Sequence, residues 1–521
     1  MKKRRRMLAL LLSAAMTAGL LSGCGQSGGE SVAESQAGNT SETQTVDTSE
    51  TVNLSLYLYG SEGVANQEIL DELNKKLLET VNATLEIKYI DWGDVSTKYP
   101  LLWASGEEFD MAYAASSTPV PYATLAKQGA IVDITDMLDT YAPKLKEALP
   151  EYRWEGMKVD GRIYGVSDNY SEFTPYGFIY RRDLLEKYGM SGINSIDDMD
   201  AYMEAALEDG WIPLNGGVDL AMDLYMMLVD TTPGWIRECP GVQSGEPFLC
   251  SKSVDEPTEI FHPAFTQEYE DFVVRMREWA DKGYWSKDVL SNTQDDKENC
   301  YNGLSASFIT HMSDWTGNYG TQQQKLPGVE TDFWCFALDN GKITRSAPSS
   351  CATVINAKSK YPERCLMVIE QLMTNEECYR LLQYGIEGRQ YEIVDGMIVE
   401  PEGYDEEKDS GGFAAWGFRT DEMNIPSASE DPRRYILNEE WKEVAIDDIY
   451  AGFNFDSSNV TAELAAISNV NAQLGTQLLL GKTTQDPIEA VEEYRKQLTD
   501  AGIEKVIQEV KEQYEAFLNE N

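Results

Sequence analysis

Apolar and polar residues alternate from Val52 to Tyr59, where VNLSLYLY has the period of two expected of a strand. Thr84 to Tyr89 (TLEIKY) and Phe109 to Ala114 repeat that pattern. Between the first two runs, Glu68 to Glu79 sets Ile69, Leu70, Leu73, Leu77 and Leu78 on one helical face. Strand, helix, strand, helix, strand predicts parallel βαβ units with right-handed crossovers, hence an α/β fold. Further on, Asp160-Gly161 lies between short apolar runs in VDGRIYGV, which is a hairpin signal. Ser195 and Asp198 cap a helix bearing Met199, Tyr202, Met203, Ala206 and Leu207. A pair of helical patterns runs from Pro362 to Tyr384 and stops at Gly385. Asp486-Pro487-Ile488-Glu489 opens a last pair, broken at Ala501-Gly502. From Thr51 onward the chain is too long for one compact core, so two or more domains are expected.

The amino-terminal residues change this picture from a free body to a tethered one. Lys2, Lys3, Arg4, Arg5 and Arg6 precede an apolar run from Met7 to about Leu21, followed by Ser22 and Gly23. A basic start, a short apolar stretch and small residues form a secretory signal over residues 1–23. The run is too short for an ordinary spanning helix. Leu21-Ser22-Gly23-Cys24 resembles the bacterial lipobox. The resemblance implies acylation of Cys24 and a protein anchored in the cell membrane, on its extracellular face. Residues 24–50 hold no aromatic residue and are rich in Ser, Gly, Thr, Gln and Glu, so they are read as a flexible linker.

Charge and cysteine usage remove several classes of function. There are 43 Lys and Arg against 88 Asp and Glu, a formal net charge of -45. Nucleic acid and anionic lipid surfaces are poor partners for such a body. Seven cysteines besides Cys24 include no CxxC pair and no Cys/His cluster with zinc spacing, so no metal and no cofactor is expected. Cys239 and Cys250 flank a Pro/Gly-rich loop, and whether they are bridged is left open. His262 and His311 are the two histidines, and no zinc-protease helix or histidine triad can be drawn from them. Gly475 to Thr483 (GTQLLLGKT) resembles a P-loop, but it has one residue too many between its glycines and follows a helical segment. No enzyme signature stands out.

Several separated stretches share one resemblance. Glu108-Phe109-Asp110-Met111 with Leu125 to Thr135 (LAKQGAIVDIT), the hairpin VDGRIYGVS, Tyr180 to Leu185 (YRRDLL), and Leu382 to Tyr391 (LQYGIEGRQY) occur in that order. They are similar to extracellular solute-binding lipoproteins of bacterial ABC importers, of the large sugar-binding type related to maltose-binding proteins, and Leu382 to Tyr391 with Gly481 to Val506 resemble the lipoprotein subgroup linked to oligosaccharides such as aldouronates. Ser167 stands where that family commonly has Pro. The resemblance implies two α/β lobes, residues 51–168 plus 345–388 and residues 169–344 plus 389–521, with ligand in the cleft between them. It also implies a monomer that closes on a carbohydrate, an oligosaccharide above all, and then engages permease subunits. A surface glycoside hydrolase, a peptide receptor and a signalling receptor of the same fold are the alternatives.

A neutral sugar offers flat C–H faces and rims of hydroxyls, so its binder needs aromatic platforms and planar polar groups. Trp92 (DWGD), Trp235 (TTPGW), Asp314 and Trp315 (HMSDWTGNYG) and Trp416 (AAWGF) lie among turn residues, where a packed helix face is not expected. Tyr59 ends the first strand and Ser116 follows the third, so both should face the cleft. Asp168, Asn169 and Tyr170 follow the hairpin near the lobe crossover. Glu387, Arg389 and Tyr391 occupy the GIEGRQY loop, where ligand contact and a Glu/Arg pair holding the loop are both open. No catalytic residue is assigned.

Overall fold

The computed structural model describes residues 48–520, apart from residues 117, 237–248 and 454. The expected leader, Cys24 and Cys239 lie outside the described residues. Nine strands make the two main sheets: β1 (Val52–Tyr59), β2 (Ala83–Ile90), β3 (Met111–Ala114), β4 (Gly165–Ser167), β5 (Tyr176–Arg181), β6 (Ile212–Leu214), β7 (Ser305–His311), β8 (Thr331–Cys335) and β9 (Ala352–Ile355). The first sheet has the order β2-β1-β3-β9-β4 and the second β8-β5-β7-β6.

In the first sheet β1 runs parallel to β2 and β3, as the βαβ pattern requires. Strand β9 returns antiparallel against β3 and β4. Being central, β1 buries both faces, and its one inward polar residue is satisfied: the Ser55 amide and hydroxyl donate to the Asp110 carboxylate at 2.9 and 3.1 Å. Ser359 donates to the same carboxylate at 2.6 Å. The Asp of the "EFDM" stretch is therefore a structural clamp. The helix Asn66–Val81 buries Ile69, Leu70, Leu73 and Leu77 and ends at Asn82 in the left-handed region. Leu78, expected on the same face, is 40% exposed.

The second sheet is covered on both faces. Phe178 and Tyr180 of β5 enter one core while Ile179 enters another, and Ile309 and Phe308 of β7 split the same way. Gly177 lets β5 and β8 meet, since a Cβ there would lie 2.4 Å from the Phe333 ring and the Trp334 carbonyl oxygen. At the carboxyl end, Asp486 accepts from the amides of Ile488 and Glu489 at 3.0 and 3.4 Å. The helices Pro487–Asp500 and Ile503–Glu520 then add Tyr494, Leu498, Val506, Val510 and Tyr514 to the larger core.

The chain passes between the first core and the cores of the second sheet between Val166 and Phe173, between Ile343 and Cys351, and between Phe418 and Trp441. The expected boundary after residue 388 is corrected by this packing. Phe413, Ala415 and Phe418 belong to the first core. Asn66 also exchanges hydrogen bonds with Gly412, donating at 3.0 Å and accepting at 2.7 Å. Residues 413–418 thus pack with the first core.

Register shows which edges carry the crossover. Ser167, last in β4, pairs with Ala352, first in β9, which pairs with Ala114, last in β3. The carboxyl ends of β1 to β4 therefore share one edge. From there the chain enters β5 at Tyr176, opposite His311 at the carboxyl end of β7, with β6 parallel to β7. Ligands of open α/β sheets bind outside such carboxyl ends.

Candidate functional site

On the first lobe this edge is an aromatic wall. Tyr59 closes β1, and its ring meets those of Trp92, Tyr99 and Tyr113 edge-on at 5.6, 5.6 and 5.2 Å. Trp92 follows β2 in a single tight turn, Trp92–Asp94, capped by Asp91, and is 54% exposed. Its ring lies 5.3 Å from that of Trp416 at an angle of 35°. Trp416 in turn contacts Tyr113 at 6.0 Å. The buried Tyr59 hydroxyl has no hydrogen-bond partner among the described residues. Burial holds its proton above the ordinary phenol range. The wall thus presents one exposed indole with a second beside it, above a buried hydroxyl.

The crossover beside the wall is built from paired charges. Asn169 donates its amide to Arg419 at 2.8 Å and accepts from the Asp421 amide at 2.9 Å, so two passages run side by side. Asp168 takes Arg153 at 3.1 Å and Arg419 at 3.7 Å. Glu172 takes Arg419 at 3.1 Å and Arg434 at 2.7 Å. The Arg419 guanidinium covers the Tyr170 ring at 4.5 Å. Burial pushes the Asp168 carboxyl up to about 7, against the pull of Arg153 and Arg419. A chain of alternating charges, Arg153–Asp168–Arg419–Glu172–Arg434, thus threads the two crossover segments.

The second lobe contributes a cavity of about 310 Å³ at the carboxyl ends of β6 and β7, lined by Asp219, Asp223, Asp295, Asp296, Lys297, Thr310 and Asp314 among others. Asp314 sits in the first turn of the helix Met312–Gly317, where Lys297 reaches both its oxygens at 2.8 and 2.9 Å. Thr310 also donates to it at 2.9 Å. Asp296 accepts from the amides of Lys297 and Ile309 at 2.8 and 3.1 Å. Burial pushes its carboxyl up to about 7. Planar carboxyl groups around a small void are suited to receive hydroxyl donors.

The structure brings together Tyr59, Trp92 and Trp416 as the sequence suggested, and adds Tyr99 and Tyr113. Ser116 lies just past β3, its amide bonded to the Ser349 carbonyl at 2.7 Å. Other expectations of setting are corrected. Trp315 is on a packed helix face, 1% exposed, stacked on Phe333 at 5.2 Å, its indole N–H donated to Thr331 at 2.9 Å. Trp235 is 7% exposed and packs edge-on against Phe261 at 5.2 Å in the second lobe's core. Turn-forming neighbours flank both rings without exposing them. Arg389 pairs with Glu68 and Asp409 and not with Glu387, which is exposed, while Tyr391 is buried against Tyr384. The GIEGRQY loop is thus fastened to the helix Asn66–Val81. Sequence reasoning missed Arg153, Glu172, Arg419 and Arg434, which carry no local signal. It also missed Asp295 and Asp296, which look like ordinary caps; Asp295 does cap the next helix, accepting from Glu298 at 2.8 Å.

Comparison with known proteins follows the same lines. The family described as "Bacterial extracellular solute-binding protein" matches residues 68–381, and a domain of unknown function matches residues 449–519. A carbohydrate ABC transporter substrate-binding protein of Streptococcus pneumoniae is 26% identical over 477 residues, 89% of this chain and 91% of the relative. Lipoprotein LipO of Bacillus subtilis is 22% identical over 451 residues, 81% of this chain and 85% of the relative. The crystal structure of an N-glycan transport solute-binding protein from Streptococcus pneumoniae superposes with a TM-score of 0.73 at 23% identity, covering 90% of this chain and 99% of that one. Likeness at that identity establishes the two-lobed fold.

Proposed function

The chain belongs to the bacterial extracellular solute-binding proteins, and from that premise we propose that it captures an oligosaccharide between its lobes and hands it to the permease of an ABC importer. It is a binding protein and not an enzyme: its relatives deliver substrates. The observation that carries the sugar reading is the exposed Trp92 face backed by Trp416 at the carboxyl edge of the first sheet. A pyranose ring stacks its C–H face on such a surface, and its rim hydroxyls reach planar acceptors. In this reading Trp92, Trp416, Tyr59 and Ser116 form the first lobe's half of the site and Asp314 with its neighbours the second. The crossover holding Asp168, Asn169 and Tyr170 is the hinge on which the lobes close.

We place the protein on the outer face of the cell membrane through acylated Cys24. The lipobox-like Leu21 to Cys24 supports this, as does the likeness to a lipoprotein of Bacillus subtilis. The test is calorimetry of the purified protein against a glycan panel, with the ligand recovered and sized afterwards. Saturable binding of a glycan that is recovered at its original length is expected. Shortened products, or saturable binding confined to peptides, would replace the reading.

A further inference from the structure

We propose that the cavity at the carboxyl ends of β6 and β7 receives the end of an uncharged glycan chain and shuts out sugar units that carry a carboxylate. The inference rests on the carbohydrate reading and names the class of carbohydrate. At about 310 Å³ the cavity is at the small end of the roughly 300–1,000 Å³ of small-molecule sites, room for the end of a chain and not its length.

Its charge is one-sided. Asp219, Asp223, Asp295, Asp296 and Asp314 face one cation, Lys297, and both oxygens of Asp314 already hold that ammonium at 2.8 and 2.9 Å. Asp296 is taken up by two backbone amides. Asp223 is different: none of the hydrogen bonds among the described residues reaches its carboxyl, although it lines the void. A partly buried carboxyl that faces the void without a protein hydrogen bond is open to a ligand's hydroxyl. Burial and the neighbouring carboxylates, Asp296 first and then Asp219, Asp295 and Asp314, hold the Asp223 proton far above the ordinary range, so the site already resists negative charge. A uronate would add one more carboxylate with no cation to meet it. Sugar hydroxyls supply the missing donors without that cost. A divalent metal is not the occupant that the geometry favours, because the carboxylates do not converge: among the described residues no group of three or more His, Cys, Asp or Glu could hold one.

Calorimetry of the purified protein with neutral gluco-, manno- and xylo-oligosaccharides, and with oligogalacturonates of matched length, tests the proposal. A neutral series is expected to bind and the oligogalacturonates not. Asp223→Ala, which removes the polar group, should weaken the neutral ligand tenfold or more without lowering the melting temperature. Asp219→Asn, at an exposed position of the same cavity, is the second variant: it should raise oligogalacturonate binding without touching the fold. Oligogalacturonates binding the unaltered protein as tightly as the neutral series would overturn the inference while sparing the carbohydrate reading. So would a neutral affinity unmoved by Asp223→Ala. Binding by neither class would overturn both.

Discussion

Trp92 and Trp315 are the same side chain in opposite surroundings, and the surroundings decide what removing each does. Trp92 is more than half exposed and rests on Trp416. Trp92→Ala should lower glycan affinity tenfold or more, about 1.4 kcal/mol by calorimetry, while the urea midpoint stays close to that of the unaltered protein. Trp315 is stacked on Phe333, hydrogen-bonded to Thr331 and capped by Arg433 at 4.5 Å. Trp315→Ala should therefore cost about 3–5 kcal/mol of unfolding free energy. The sequence suggested ligand contact for both, because turn-forming neighbours describe the backbone around a ring and not what lies over its face. A third residue-scale prediction concerns Asp296, whose folded-state pKa is raised from 3.8 to about 7. Folding favours its protonated form, so stability is lost as pH rises between those values. Asp296→Asn, which does not titrate but can accept only one of the two amides, should flatten the fall in melting temperature across that window, read at acid and neutral pH.

Among the elements, the two crossover segments hold the hinge through charges that neither contains alone. Arg419 from one passage serves Asp168 and Glu172 of the other, and the paired backbones hydrogen-bond at Asn169. Arg419→Ala should leave Asp168 to Arg153 and Glu172 to Arg434 alone and cost about 1–3 kcal/mol in denaturant unfolding. Arg419→Lys should rescue little, since an ammonium cannot face two carboxylates and cover the Tyr170 ring at once. Strands and long helices were legible beforehand: β1, β2 and the helix Asn66–Val81 follow from local period alone. The hinge was not, because residues 168 and 419 are far apart in the chain and each segment by itself reads as a loop.

At the scale of the molecule, two lobes with separate cores are joined by several passages, and the proposed closure is a hinge motion. The expected consequence is a smaller radius of gyration in solution scattering when the glycan of the calorimetric screen is present, and no change with a non-binding glycan. The proposed lipid anchor is tested on the whole chain: a Cys24→Ala variant is expected in the soluble fraction and the unaltered protein in the membrane fraction, because two or more acyl chains are needed for stable attachment.

Periodicity, caps and turn residues by themselves determined the α/β class, the leader and linker expectation, and the order of the main elements, since these depend on neighbours within a few residues. The family likeness was also visible in short ordered stretches. Which tryptophans are exposed, that residues 413–418 pack in the first core, and that five aspartates line one small void were decided by the tertiary structure alone. Burial and charge crowding depend on distances in space, and segments remote in the chain set those distances when the sheets assemble.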